Sequence, residues 1–521
     1  MVYVIGVSSG FFGVVEQAEK ARLMTIPRKI FTGGLEGVNF TQIDIESITE
    51  FMEPNLEKET KKIREAKISF GVHGESYAMG GAERPIGMLD SATEVEYIHS
   101  HERLIQHIEG CGKIGAVYVN IHPSETVPFI RLGVHLEPTK VVDPWGRPLK
   151  KFLEENSNLI DWIFEKIKKE QIIVFGQYFY TSDYLYEREI EPRYIQTHQG
   201  KEPTAEEKEK LKKEAYKRAK EYLFSILESE ALHYGPERIA YFIIAKWMRD
   251  SGDPLWKNIV GKYIKDEDLE KPDKIKEWVS AVSAKYIWGH FNPKDTGKFK
   301  DPKKLLEKYK MYFIFETGMG SPGIEGLQRL SRPRDMVFLC KAIGSKWVGV
   351  CFDFEHVLSQ NINPEKEIES IPYGMANVIK VCHIGFPTPH APAHMPIPLG
   401  SSEQLYLYER LFELRKKGFG KTENGYLIFE RGAAPREETV LAMRLIKEFL
   451  EKDTLPKELP LSFFGMKPEG PEVKRQELTI REHALDPLKG MLAVPEEEYT
   501  FLSKAAIEKG KAEEWKKEKY R

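Results

Sequence analysis

The sequence predicts an α/β chain closed into a (β/α)8 barrel of the TIM type, with a large, mostly helical insertion between strands four and five and a C-terminal extension. Two observations lead there. First, short runs of apolar, β-branched and aromatic residues alternate with helical stretches, four units in residues 1–130 and four in 306–455. Such runs read as strands buried on both faces, the parallel-sheet pattern. Second, five of the runs end on residues able to hold a metal: SFGVHGESY (His73), AVYVNIHPS (His122), MYFIFETG (Glu316), VGVCFDFEH (Asp353 and His356) and VIKVCHIGF (His383). A sixth, GYLIFERG, adds Glu430. In a closed parallel barrel the C-terminal strand ends converge on one mouth, where catalysis sits.

The first half reads in order as strand VYVIGV, a helix near Val14 to Leu23, strand GVNFTQID and a helix near Glu46 to Glu65. The His73 strand follows, then a helix from about Ala92 to Glu109 and the His122 strand. The alternation resumes at Met311 with the strands of Glu316, Asp353, His383 and Glu430, so the Glu316 strand should lie beside the His122 strand. Residues 131–305 break the rhythm with helical stretches at Ser157 to Glu170, Ala205 to Leu232, Pro236 to Asp250 and Asp273 to Trp288. An insertion in a βα loop belongs over the mouth, as a lid or specificity element. A Pro-rich stretch from Leu455 to Pro471 leads into a charged tail, so residues 456–521 read as an extension.

A net charge of −3 over 521 residues gives no global bias toward nucleic acid or membrane, and no run approaches the length of a membrane span. The N-terminal residues lack a basic segment and a small-residue cleavage site, and read as a first strand. Four cysteines without a C-x-x-C pair, two of them inside barrel strands, read as buried thiols of a cytoplasmic protein. Abundant Lys and Glu with little Gln resembles the balance of heat-adapted proteins. The oligomeric state is not readable from the sequence.

A lone His on a strand is more often a packed core residue, but polar groups in register at successive strand ends have no packing explanation. Imidazole and carboxylate donors together favour zinc, with manganese or iron as alternatives. His390 and His394 in HIGFPTPHAPAHMP add donors to a loop whose prolines limit its shapes.

These motifs resemble the endonuclease IV group of the xylose-isomerase-like barrels. ETGMGSPG, VGVCFDFEH, VHGESY and IHPS are similar to that family's Glu with a Gly-rich turn, its Asp-x-x-His strand and its two strand-end histidines. The resemblance covers about 1–130 and 306–450. It implies that His73, His122 and Glu316 hold one metal, that Glu316 bridges to a second held by Asp353, His383 and Glu430, and that His356 and His394 hold a third. Two features depart from the family. Pro392 stands where it has an Asp, so the third site loses a carboxylate, and its Arg-bearing DNA-recognition loop has no clear counterpart.

Three lookalikes read otherwise. Gly318-x-Gly320-x-x-Gly323 imitates a dinucleotide fingerprint, but Pro322 and the preceding Glu316 suit a barrel loop better. Gly420-Lys421-Thr422 imitates a phosphate loop, yet Arg415 occupies the earlier glycine position, which leaves a helix end and a turn. His99-x-His101 lies on a predicted helix, where i and i+2 do not face each other, and reads as solvated surface. Tyr216, Lys217, Arg218, Lys220 and Tyr222, followed by Trp247, Arg249, Trp256 and Lys257, suggest a nucleic-acid channel. Their acidic neighbours Glu206, Glu207, Glu209, Glu214 and Glu221 argue instead for a salt-bridged solvent face.

Three functions remain. The leading expectation is a metal-dependent hydrolase of a phosphodiester, with Glu316 bridging two metals. The alternative is an isomerase or epimerase of a sugar-like substrate, with Glu316 and Glu430 as the acid and base pair. The third is a non-catalytic binder stapled by metal. On the hydrolase reading, Glu316→Ala abolishes turnover and, by relieving repulsion among carboxylates, leaves the metal-free fold as stable as before or more so.

Overall fold

The computed structural model describes residues 3–9, 25–35, 37–45, 47–74, 88–124, 140–162, 182–228, 235–261, 264–265, 268–269, 272–318, 329–388, 391–430 and 437–466. Eight strands run parallel: β1 Tyr3–Ser8, β2 Phe40–Asp44, β3 Ser69–His73, β4 Tyr118–Ile121, β5 Tyr312–Glu316, β6 Val348–Asp353, β7 Ile379–His383 and, after a hairpin of β8 Phe386–Thr388 and β9 Ala391–Met395, β10 Gly425–Phe429. They close in the order β1-β10-β7-β6-β5-β4-β3-β2, the (β/α)8 barrel expected. Ile121 pairs with Phe315 across β4 and β5, so the two halves join beside the Glu316 strand although about 190 residues separate the two strands.

Hydrophobic residues alternate across this wall. Phe40, Tyr118, Ile314, Cys351, Val381, Tyr426 and Ile428 form one cluster inside the barrel, whereas their neighbours Phe313 and Phe315 join the much larger core under the helices. Side chains on successive strand residues point to opposite faces, so this split is the period of two read in space. All four cysteines are buried and free.

Several elements differ from the sequence reading. The stretch at Glu46 to Glu65 is a 3-10 turn, Ile48–Met52, and a helix, Leu56–Glu65. Pro54 cannot continue the turn, and Asn55 sits at φ 61 between them. Helix Ile26–Leu35 was not foreseen, the expected helix at Val14 to Leu23 lies outside the described residues, and the Ala92 helix runs further, Glu94–Ile114. The proline loop after β7 forms the β8–β9 hairpin.

Within the insertion, helices Ala205–Glu228, Gly235–Ser251 and Pro272–Phe291 match three of the four expected, and the fourth, near Ser157, lies mostly outside the described residues. They occupy different places. Phe291 packs edge-on to Phe313 and Phe315, which puts the end of Pro272–Phe291 against the outer face of β5, among the barrel helices. Glu237, on Gly235–Ser251, instead meets the segments that follow β3 and β5, accepting from the Ala92 N–H and pairing with Arg329 at 2.8 Å. Ala205–Glu228 carries i,i+4 pairs such as Lys210–Glu206, Lys213–Glu209 and Arg218–Glu214 on an exposed face, as its charge pattern suggests. No described helix is long and apolar enough to cross a membrane. Of the C-terminal extension, only the part through Met466 is described, and Phe463 is buried there against Tyr408 and Phe449.

Candidate metal centre

The apolar layer inside the barrel ends abruptly. Two residues beyond Phe40, Tyr118, Ile314, Cys351, Val381 and Ile428, on the same inward face, stand Gln42, Asn120, Glu316, Asp353, His383 and Glu430. His73 ends β3, and His122 follows β4 by one residue. A polar layer thus caps an apolar one at the C-terminal strand ends.

Glu316, wholly buried, is the hub. Its Oε1 lies 3.0 Å from His383 Nδ1, 3.1 Å from His356 Nδ1 and 3.6 Å from His122 Nε2. Its Oε2 lies 3.4 Å from His73 Nε2 and accepts from the Asn120 amide. His383 Nδ1 is also 3.1 Å from Asp353 Oδ2 and 3.2 Å from Glu430 Oε1. Donors from His73, His122 and Glu316, and from Glu316, Asp353, His383 and Glu430, each fall within 4.8 Å of one another. Cys351 adds a thiol beside Glu316 and His383 from the layer below.

Local structure aims several of these groups. Asp353 caps helix Phe354–Ser359 by accepting from the His356 N–H, which ties its carboxylate to the turn bearing His356. His73 Nδ1 is 3.0 Å from the Gly74 carbonyl and His356 Nδ1 is 2.9 Å from the Thr317 carbonyl. A carbonyl only accepts, so both rings carry a proton on Nδ1, and His73 turns its other nitrogen toward Glu316.

The electrostatics ask for a cation. Burial alone pushes His73 down, but Glu316, Glu430 and Asp44 outweigh it and raise its pKa to about 9. Burial likewise opposes His356, which Asp353, Glu316 and Glu430 raise to about 10. His383 also rises, beside Cys351, Glu316, Glu430 and Asp353. Burial would raise Glu316, yet His383, His122 and His356 hold it well below the usual carboxylate range. His122 is the exception, because burial outruns its more distant carboxylate. Its buried Nε2 has no hydrogen-bond partner among the described residues, as expected of a nitrogen facing a metal. Imidazole nitrogens and carboxylates from six residues, His73, His122, Glu316, Asp353, His383 and Glu430, suit a divalent ion.

His73, His122, Glu316, Asp353, His356, His383 and Glu430 are therefore brought together. His394 falls on β9 and His390 lies outside the described residues, as does all of Gly318-x-Gly320-x-x-Gly323 beyond Gly318. The surface reading of His101 is corrected: the ring is buried, with Nδ1 3.2 Å from His290 Nδ1 and Nε2 3.0 Å from the Lys300 carbonyl. That Gly420-Lys421-Thr422 follows the end of helix Ser402–Lys416 agrees with a turn. Sequence reading missed Gln42, Asn120 and Tyr118, because amides and phenols are not the usual metal donors. Their inward parity was the available signal.

No protein-family model and no curated protein matches the chain. Solved structures similar to it include a D-tagatose 3-epimerase-like protein (13% identity, 86% of this chain and 98% of that chain, TM-score 0.39). An L-ribulose 3-epimerase is similar at 9% identity (86% and 96%, TM-score 0.39). A putative sugar phosphate isomerase/epimerase from Anabaena variabilis is similar at 10% (87% and 100%, TM-score 0.34). All three are described as isomerases or epimerases of sugars, or as like them. At such scores the likeness carries no argument, and the barrel rests on the strand register above.

Proposed function

We propose that this chain is a metal-dependent isomerase or epimerase of a small sugar-like hydroxycarbonyl compound. One observation carries the reading: Glu316 from β5 and Glu430 from the end of β10, separated in the wall by β6 and β7, converge with Asp353 on a single imidazole nitrogen, His383 Nδ1, at 3.0–3.2 Å. Those four residues would hold one divalent ion, which when bound polarises a substrate carbonyl. The two glutamates would then serve as the base and acid pair. One accepts the proton on the carbon beside the carbonyl and the other returns a proton to the neighbouring carbon or the opposite face.

A second reading, two-metal hydrolysis of a phosphodiester, is favoured by the separate set of His73, His122 and Glu316. The Asn120 amide bears on the choice. It donates to Glu316 Oε2, the oxygen on the His73 side, and so competes with a second ion there. Residues 131–305 would supply elements around the mouth, with Glu237 as one contact.

Metal analysis combined with two substrate panels tests the choice. The proposal predicts about one firmly held transition ion per chain and uptake of solvent deuterium next to the carbonyl of a ketose or aldose. Two or three ions per chain with phosphodiester cleavage and no exchange would replace it by the second reading. Bound metal with turnover on neither panel would remove both.

A further inference from the structure

We propose that Gln42 is a positioning residue that sets His383 and Glu430 for the ion, and that Tyr118 holds Gln42 in turn. The inference rests on the metal reading above. Its logic begins with Glu430, whose carboxylate only accepts hydrogen bonds. The Gln42 atom 2.9 Å from Glu430 Oε1 is therefore the amide nitrogen, since a flipped amide would set a carbonyl oxygen against a carboxylate. The Gln42 oxygen then faces His383 Nε2 at 3.0 Å and the Tyr118 hydroxyl at 2.9 Å. A carbonyl oxygen cannot donate, so His383 carries a proton on Nε2 and turns Nδ1 toward Glu316, Asp353 and Glu430. One amide thus fixes the tautomer of the histidine and the direction of the glutamate.

The support beneath it is built into the apolar layer. Gln42 and Tyr118 are wholly buried, and burial lifts the Tyr118 pKa well above its ordinary value, so the phenol stays a donor. Tyr118 lies across Gly71 of β3, where any side chain would overlap its ring. The missing Cβ at Gly71 lets the phenol reach Gln42 from the neighbouring strand.

The test uses zinc as probe, in competition with a chromophoric chelator, on the full chain. Gln42→Met keeps the volume and removes both polar contacts. Partners that orient metal ligands typically govern about 10–100-fold in affinity, and a zinc affinity lowered by that factor is expected. Gln42→Glu keeps the acceptor for His383 but sets a second carboxylate against Glu430, so it should weaken zinc binding while keeping the His383 resonance of wild type. Tyr118→Phe, the milder fallback should Gln42→Met not fold, should lose several-fold. The readout that a packing role would not move is the imidazole N–H resonance of His383 in zinc-loaded, 15N-histidine protein. It should lie downfield in wild type and Gln42→Glu and shift upfield in Gln42→Met. If wild type binds zinc and the Gln42 variants match its affinity and resonance, this inference is overturned and the metal reading stands. If wild type takes up no zinc, both are overturned.

Discussion

His73, His356 and His383 at the barrel mouth and His101, His107 and His290 on the helices behind it are buried to the same degree, all at 4% exposure or less. Their acidities nevertheless move in opposite directions. Burial drives His101 and His107 down to about 4 and His290 well below its ordinary value, because their neighbours are carbonyls and other histidine or arginine side chains. His107 Nδ1 meets the Arg103 carbonyl at 2.8 Å with the Arg103 charge close by, and His101 faces His290. At the mouth the same burial is overruled by Glu316, Asp353 and Glu430. Burial by itself does not mark a functional histidine; the company of carboxylates that only a cation can reconcile does.

The largest expected effect separates the two groups by function. Glu316→Ala should abolish metal uptake and turnover, whereas His101→Gln should leave both near wild type, checked by elemental analysis and the exchange assay. The surroundings of Glu316 favour the opposite sign for the stability effect expected from sequence. Glu316 is ringed by four histidine rings and the Asn120 amide, so its removal takes one carboxylate away from the cationic His73, His356 and His383. The thermal midpoint of Glu316→Ala in chelator should fall below that of wild type.

Next in size is the junction between insertion and barrel. Glu237 accepts from Arg329 at 2.8 and 3.1 Å as well as from Ser91 and the Ala92 N–H. Glu237→Ala removes the carboxylate that holds the buried Arg329 guanidinium at two points and leaves Asp90 to balance its charge, so it should cost up to about 3–5 kcal/mol in chemical denaturation.

The pH dependence of the metal-free protein sharpens the contrast. For His101 and His107 the folded pKa of about 4 lies below the unfolded value, so their contribution is complete above about pH 6.5 and is lost as pH falls toward 4. Each is worth on the order of 3 kcal/mol over that span. His73, raised to about 9, contributes fully below about pH 6.5, and that contribution is lost as pH climbs through 9. Denaturation midpoints from pH 4 to 10 in chelator should show both limbs. His107→Gln should flatten only the acid limb, and His73→Gln only the alkaline one.

Smaller effects follow. Gly71→Ala overpacks the barrel against Tyr118 and should cost about 1–3 kcal/mol. Lys210→Ala, which breaks an exposed pair on helix Ala205–Glu228, should cost less than about 0.5 kcal/mol in the same assay.

The barrel was legible because buried parallel strands are continuous apolar runs, and the ligand candidates because they are donors placed where such runs stop. Gln42, Asn120 and Tyr118 escaped notice because an amide or phenol carries no metal signature until its strand parity is laid beside that of the donors. His101 was misread because i and i+2 spacing says only that two rings on a helix do not meet; what buried His101 was His290, distant in sequence. The break at Pro54 and Asn55 was written in the chain, whereas the β8–β9 hairpin hid behind prolines that read as a loop.

The most direct measurement is the transition-metal content of wild type, Glu316→Ala and His101→Gln, each purified without chelators. The account predicts about one firmly bound ion per chain in wild type and in His101→Gln, and none in Glu316→Ala. Metal-free wild type, or equal metal in all three proteins, would contradict it.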